Sequence, residues 1–594
     1  MEEIRKLADR LIDTEILVVG SEGAGSTCAV EAHDRGAKVL IVTKGRLGRC
    51  GATVTGDSDH DVDSRSLSEM FPWLKGTDPN DSKEHFFEDM VKGGKYLNNQ
   101  KMVEAHVEDA PKAIKKMFDW GLKYEPTVIK ASGHSYPRGV TSCGTKYTPI
   151  FRRQVEKRGI PVIEDTMITD LLTNKERMVG AVGHNIRTGE FMVFRAKIVV
   201  LATGGEMRIY PIITAPEELT GDGIAMAYRA GAELADMEFP MFLPGTFTYP
   251  KALLGVDVPF LYSTSGEVFS WMLNSVGERF MARWVPKTME HSTRDICSIA
   301  MYKEVLEGKG SPSGGVYVSM KHLPDNLVEQ IVHHVVGAME YKYGGFDLEE
   351  WFPKEKLKTD AMEAVPGRHF FNGGIRINER CETSIPGLFA CGETTAGVHG
   401  GNRLSGNAFT EMVTWGFRAG RFAAEAAKKA PTPKIDADQV KRLHSKVYRP
   451  LEQKDGVSPI ELRKRVQKLA WEKVGIVRTG KSLEEAINEI VKMRKEAVDI
   501  CCKSKDRVYN REWVEALQIE NILLCLEITA RAALMRTESR AAHYREDYPK
   551  TDYKNWTKNI VVKMEKGKIK LRLEPVVITK LKPPDKVVDY GVVE

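Results

Sequence analysis

The first residues that could do chemistry are Gly20-Ser-Glu-Gly-Ala-Gly25, directly after the apolar run Glu15–Val19. A turn that cradles a dinucleotide needs a tight first glycine, a close backbone approach to the pyrophosphate, and a third glycine where helix and strand pack. Gly20 and Gly25 fill the first and third roles, whereas Glu22 holds the middle place and glycine is displaced to Gly23. A carboxylate there repels a pyrophosphate unless its side chain turns away. The next apolar run, Lys38–Val42, ends in Thr43-Lys44 rather than the acid that usually holds an adenosine ribose, which counts against a free NAD site. A further buried run, Ile198–Ala202, leads into Thr203-Gly204-Gly205, the second touch of a two-stretch FAD fold. Thr220-Gly-Asp222-Gly223 then opens a helical stretch whose amides and dipole can face a cofactor. Asp57-Ser-Asp-His-Asp-Val-Asp63 could ligate a metal, but acidic loops are commoner than metal sites, and no metal is expected.

These motifs need elements to carry them. Strand, glycine turn, helix 26–35 and strand form the opening of a nucleotide-binding α/β unit. Helical patterning follows over 84–125 and 149–158, with strands through Val193. The texture turns aromatic and irregular near 235–355, as in an inserted domain. Patterned sequence resumes at 366–425, the prolines of Lys429–Lys434 mark a linker, and 436–545 reads as helical. The expected division is therefore 1–235 and 356–430 for the nucleotide-binding domain, 236–355 for a cap, 436–550 for a helical domain, and 551–594 for a polar, β-leaning tail.

With 594 residues the chain is too long for one core. A net charge of +5 from 87 basic and 82 acidic residues gives no case for nucleic acid. Nine cysteines include no CxxC pair, so zinc and self-contained iron–sulfur sites lack their spacing; the scattered set fits a reducing compartment. The charged start MEEIRKLADRLIDTEILVVG has no signal-peptide core, and no apolar run reaches a membrane span. The expected location is the cytoplasm, with membrane association only through partner subunits.

Taken in order over residues 14–550, several motifs resemble the flavoprotein subunit of fumarate reductase and succinate dehydrogenase, a family that includes L-aspartate oxidase. They are GSEGAG at 20–25, GRCGATVTG at 48–56, ATGG at 202–205, TGDGIAMAYRAGAELADMEF at 220–239 and STRD at 292–295. HFFNGGI at 369–375, GLFACGETTAGVHGGNRLSGNAFTEM at 387–412 and ESRAAHYREDYP at 538–549 complete the set. The resemblance implies an α/β fold: a Rossmann-like FAD-binding domain, an inserted α+β capping domain and a helical C-terminal domain. It implies hydride transfer between flavin N5 and a carbon–carbon bond beside a carboxylate, with electrons exchanged with an iron–sulfur protein subunit. It assigns to FAD the turn residues Gly20, Glu22, Gly23, Ala24 and Gly25, then Thr43, Lys44 and Gly45, then Gly51, Ala52, Thr53 and Gly56. Met167, Gly204, Asp222 and Glu393 follow, with Asn407, Ala408 and Phe409 opening a helix toward the flavin O2/N1 edge. Arg403 and His369 match two groups that grip a substrate carboxylate, and Arg294 matches the arginine that donates the proton opposite the flavin.

Four departures qualify the resemblance. Ala52 stands where membrane-bound members carry the histidine covalently linked to FAD, so FAD is expected to be non-covalent. Leu243 replaces a histidine that holds the second carboxylate of a dicarboxylate. Leu261, Tyr262 and Ser265 align with the Glu-and-Arg relay that reloads the catalytic arginine. The Asp57–Asp63 run replaces a small apolar segment, and His60 and Asp61 are candidates for replacement acid chemistry. Two of these departures strip the far side of the dicarboxylate pocket, which points away from fumarate and toward a monocarboxylic enoate or a differently shaped acid. The competing readings are an adenylylsulfate-reductase-like α subunit or a flavin electron-transfer subunit without its own substrate.

Overall fold

A computed structural model describes residues 2–258, 270–331 and 353–591. The aligned relay positions Leu261, Tyr262 and Ser265 lie outside the described residues. The central sheet has seven strands and is built on Arg10–Val19, whose last four residues are buried. Val39–Val42 and Phe191–Leu201 flank it in parallel, and Val162–Ile163 continues the sheet beyond Val39–Val42. The strand Phe191–Leu201 has two neighbours on its far side. The antiparallel strand Arg177–Asn185 pairs with its first half, and Leu388–Ala390 runs parallel to its last three residues. Such continuous apolar strands suit a sheet covered on both faces. The helix Gly23–Asp34 follows the glycine turn and packs against the helix Asn407–Lys429.

The inserted cap is a four-stranded antiparallel sheet in the order Pro240–Phe247, Met362–Phe371, Val316–Ser319 and Trp271–Leu273. Its own apolar cluster, including Phe247, Met272, Phe280, Met301 and Val318, is separate from the main core. The strand Met362–Phe371 lies past the boundary at 355 drawn from sequence texture. It returns the chain to the body, pairing Phe371 with Pro240 at the root of the cap.

The helices Ala437–Glu452, Pro459–Leu469, Gly480–Glu496 and Arg511–Met535 follow in turn. The last is buried over most of its length and packs on Gly480–Glu496 and on Asp222–Arg229. The 551–594 tail, β-leaning by sequence, supplies the hairpin Lys558–Glu565 and Lys568–Pro575, whose first strand pairs with Leu234–Ala235. Among the described residues no helix is long and apolar enough to cross a membrane.

The 538–549 motif forms a buried ionic knot rather than a cavity wall. Arg536 reaches Glu238 at 2.8 Å and Glu538 at 2.8 Å, and Arg540 reaches Glu538 at 2.9 Å, with every one of these side chains fully buried. Arg478 joins it through the Glu238 carbonyl and His543 Nδ1, each at 2.8 Å. Removing one member of a buried pair strands the other charge, which costs about 3–5 kcal/mol. Arg536→Met should lower unfolding stability by about that amount in urea titration; a loss below about 1 kcal/mol would mean the knot is not holding the domains.

Candidate functional site

One cavity of about 440 Å³ runs from the glycine turn to the root of the cap. At one end it is walled by Gly20, Glu22 and Ala24, with Thr43, Lys44 and Gly45 from the next strand end. Gly51, Ala52, Thr53, Gly56, Met167, Gly204 and Asp222 continue the wall, and Glu393, Ala408 and Phe409 lie farther along it. At the other end stand Arg294, His369 and Arg403. Three residues expected at the cofactor stand behind the wall instead. Gly25 is where helix meets strand, because a Cβ there would lie 2.1 Å from the Gly20 carbonyl oxygen. Gly23 is pressed on the Met412 side chain, and the Asn407 side chain is fully buried with neither amide atom hydrogen-bonded.

The turn admits a large anionic group. Gly20 has φ +108°, and a Cβ on it would sit 2.1 Å from the Ala202 carbonyl oxygen. Three helices begin at this cavity: Gly23–Asp34, Asp222–Arg229 and Asn407–Lys429. In none of the three does the N-cap side chain take a first-turn amide, and the Gly23 N–H donates to Thr53 Oγ1 at a long 3.5 Å, so each end keeps donors and a positive dipole for a ligand. Those amino ends suit the pyrophosphate and the flavin of FAD, which Gly20, Glu22, Ala24, Ala408 and Phe409 would hold.

Lys44 does not point its charge at a ribose. Its Nζ is taken by Asp222 Oδ2 at 2.7 Å, the Glu218 carbonyl at 2.6 Å and Thr220 Oγ1 at 3.0 Å. Glu22 packs against Gly51, and its Oε1 accepts from Cys50 Sγ at 3.5 Å. Burial pushes its pKa up to about 8, so the group repels no phosphate while it stays protonated. Burial likewise raises Glu393 to about 7; its Oε1 accepts the Phe371 backbone N–H at 3.0 Å.

At the far end, Arg403 is buried with its guanidinium over the Phe370 ring, 4.7 Å from the centroid, and donates to the Leu404 carbonyl at 3.0 Å. Arg294 opens the helix Arg294–Leu306 and donates to Ser405 Oγ at 3.0 Å. Among the described residues neither arginine forms an ion pair, and the Nε of each lacks a hydrogen bond. Burial, then the nearby Arg294 charge, lowers the Arg403 pKa to about 9. A buried guanidinium (Arg403) and a half-buried one (Arg294), held close with no carboxylate in ion-pair contact among the described residues, favour an anion between them. His369 stands beside them, its Nδ1 2.8 Å from Thr214 Oγ1.

His60 and Asp61 do not line this cavity. Asp57–Asp61 is a strand paired with Gly139–Cys143, so successive positions face opposite sides. His60 is fully buried with its ring stacked on Phe409, centroids 3.6 Å apart, and burial holds its pKa well below the usual imidazole range. The Asp61 carboxylate lies against Gly406 and 3.3 Å from His134 Nε2, bracing the Arg403–Gly406 loop from behind. Asp59 is the member of the run that lines the cavity. Strand alternation could have found it; a search for acid chemistry by residue type chose its neighbours. Thr214, Ser405 and Asp257 also line the site, and only Ser405 lay inside a motif singled out from sequence. Among the described residues no group of three His, Cys, Asp or Glu has a metal-holding arrangement.

Comparison with known proteins agrees with this geometry. Residues 15–409 match the FAD binding domain family, and residues 463–588 match the fumarate reductase flavoprotein C-terminal family. The chain belongs to the fumarate reductase and succinate dehydrogenase flavoprotein family. It is therefore an FAD-dependent oxidoreductase. It is 33% identical over 574 residues to one of the subunits of the fumarate reductase (CoM/CoB) of Methanothermobacter marburgensis, covering 94% of this chain and 99% of that one. It is 28% identical to the succinate dehydrogenase flavoprotein subunit of Rickettsia bellii, covering 96% of each. The Mycobacterium smegmatis Sdh1 structure in complex with UQ1 superposes with a TM-score of 0.84 at 29% identity, over 97% of this chain and 96% of that one.

Glu22 is neutral below its pKa of about 8 and charged above it, so a neighbouring pyrophosphate is tolerated only on the acid side. FAD affinity, measured by flavin fluorescence during dialysis, should fall as pH rises past that value, by up to about tenfold per pH unit. Glu22→Gln should flatten the profile. A wild-type affinity independent of pH would show that the carboxyl faces away from the cofactor.

Proposed function

We propose that the chain is the flavoprotein subunit of a multi-subunit reductase in which Arg403 and His369 grip a substrate carboxylate and Arg294 delivers a proton to the adjacent carbon–carbon double bond. The observation that supports this most directly is the pair of guanidiniums, Arg403 buried and Arg294 half-buried, neither in an ion pair among the described residues and both set around Ser405 at the end of the cavity. FAD, when bound, supplies the hydride at its N5. The chain's own residues orient the acceptor and stabilise the negative charge that develops on its carboxylate. The Ala52 position, which cannot bond covalently to a flavin, supports non-covalent FAD.

The opposite wall favours an acceptor with one carboxylate. Leu243 is buried in the strand Pro240–Phe247 and faces the cavity. Two residues farther on, Gly245 accepts from the Val258 backbone N–H at 2.8 Å, which brings Asp257 to the same wall. A second substrate carboxylate would meet an apolar side chain next to an acid, a costly burial. The Methanothermobacter relative is named for fumarate, so fumarate belongs in the test set. That relative is also named as one component of a larger enzyme, and with no CxxC pair in this chain the proposed electron partner is an iron–sulfur subunit.

A panel of enoates assayed with reduced viologen dye should show crotonate-type monocarboxylates turned over ahead of fumarate. Arg403→Met should lower kcat/KM by at least about 100-fold on the preferred acceptor, the range for losing an oriented charge-assisted contact. Leu243→His should raise fumarate turnover relative to crotonate. Strong fumarate turnover by the unaltered protein would overturn the monocarboxylate class and leave the family assignment standing.

A further inference from the structure

The helix that begins with Arg294 belongs to the cap, yet its first turn is fastened to the body by a segment 295 positions away in sequence. The strand Val587–Asp589 pairs antiparallel with Lys550–Asp552, with Lys550 opposite Asp589 and Thr551 opposite Val588. That pairing delivers Tyr590 to the seam between cap and body. Its backbone N–H donates to the Pro549 carbonyl at 3.3 Å. Its hydroxyl lies 3.0 Å from Asp295 Oδ2 and 2.7 Å from the Ala541 carbonyl oxygen. Asp295 is the residue after Arg294, and Ala541 sits inside the ionic-knot segment of the body. The Tyr590 ring stands edge-on to Tyr544 at 5.2 Å and packs against both the main core and the cap core. Farther along the same helix, Lys303 forms an ion pair with Glu546 at 3.0 Å.

We infer that residues 587–590 form a strap whose Tyr590 hydroxyl holds the first turn of the Arg294 helix against the body, making Tyr590 a positioning residue for Arg294 and for closure of the cap. The inference rests on the reading of Arg294 as the proton donor for its catalytic meaning, but the strap itself is a mechanical statement about two segments. A phenol has one proton, which it gives to the Asp295 carboxylate or the Ala541 carbonyl or shares between them, and the hydroxyl sits against both oxygens only while cap and body are together. Replacing tyrosine by phenylalanine keeps the ring packing and removes the bridge alone. The cap has a separate apolar core, so its attachments to the body decide how tightly the Arg294 end sits over the cavity.

The test is amide hydrogen exchange of the full chain loaded with FAD, following peptides across 294–306, together with iodide quenching of the bound flavin's emission. Tyr590→Phe should speed exchange at 294–299 by about 3- to 10-fold, the factor expected for one lost hydrogen bond. Exchange in the strand Arg10–Val19 should stay unchanged, and iodide should reach the flavin more readily. A chain ending at residue 586 should show the same pattern more strongly, whereas Lys303→Ala should loosen 300–306 and leave the first turn protected. Unchanged exchange at 294–299 in both strap variants would overturn the inference, as would an equal rise across the whole molecule, which marks global destabilisation. Faster exchange at 294–299 with unchanged iodide access would overturn the role in closure. If Arg294→Lys retained full reductase activity, the proton-donor reading would fail while the exchange result still decided the strap.

Discussion

Taking a guanidinium out of water is costly unless a carboxylate or a set of carbonyls replaces the water, and this chain organises itself around how it meets that cost. Arg138 ends on Asp81 and Asp89, Arg208 on Glu515, Arg368 on Glu206, Arg536 on Glu238 and Glu538, and Arg545 on Asp547. Arg478 lacks a carboxylate but collects the carbonyls of Val474, Gly475 and Glu238 together with His543. Arg403 has only the carbonyl of the residue beside it and a ring beneath it. The buried arginines with a carboxylate or several carbonyls join segments, whereas Arg403, which has neither among the described residues, lines the cavity. The same physical rule separates the scaffold arginines from Arg403, and in the proposed function a substrate carboxylate is the partner that Arg403 lacks.

The nucleotide end shows a different compensation. A dinucleotide turn with glutamate in its middle place is unfavourable only if that glutamate is ionised. Here the turn packs Glu22 against Gly51 and Cys50, away from water, and burial keeps its proton on. Lys44 replaces a ribose-binding acid, and its charge is spent on Asp222, the first residue of a helix that faces the cavity. Both departures from the usual pattern are thus absorbed by neighbours, and neither blocks the three helix ends that face the cavity and suit an anionic cofactor.

Local sequence made the central architecture legible because it depends on local signals. Strand Arg10–Val19, the turn after it and helix Gly23–Asp34 follow from apolar runs and from glycines that nothing larger can replace. The cavity wall was less legible where strand parity decides it: Asp59 and His60 are adjacent and similar in chemical promise, but the pleat sends one to the cavity and the other onto Phe409. The role of the 538–549 motif was hidden for another reason. Its dense charge resembles a site, yet its partners Glu238 and Arg478 are far away in sequence, and only their burial shows that the charges cancel. The hairpin Lys558–Pro575 likewise had no readable position until Leu234–Ala235 supplied the strand edge that it completes.

These constraints converge on the seam between cap and body. The cap carries Arg294 and the strand Met362–Phe371 with His369 and Phe370 on it, while the body carries Arg403 and Ser405. The proposed site therefore combines residues of two separately cored units, and the spacing of Arg294 and Arg403 depends on what fastens them. The Phe371–Pro240 pairing fixes the root, and a root alone leaves the far helix free to pivot. The contacts that remove that freedom lie along one side of the Arg294 helix, at Asp295 and Lys303, and both reach segments adjoining the ionic knot. The knot's charges are buried and matched, and the contact at Asp295 ties the first turn of the helix to a segment of that knot, next to Arg294, the proposed proton donor.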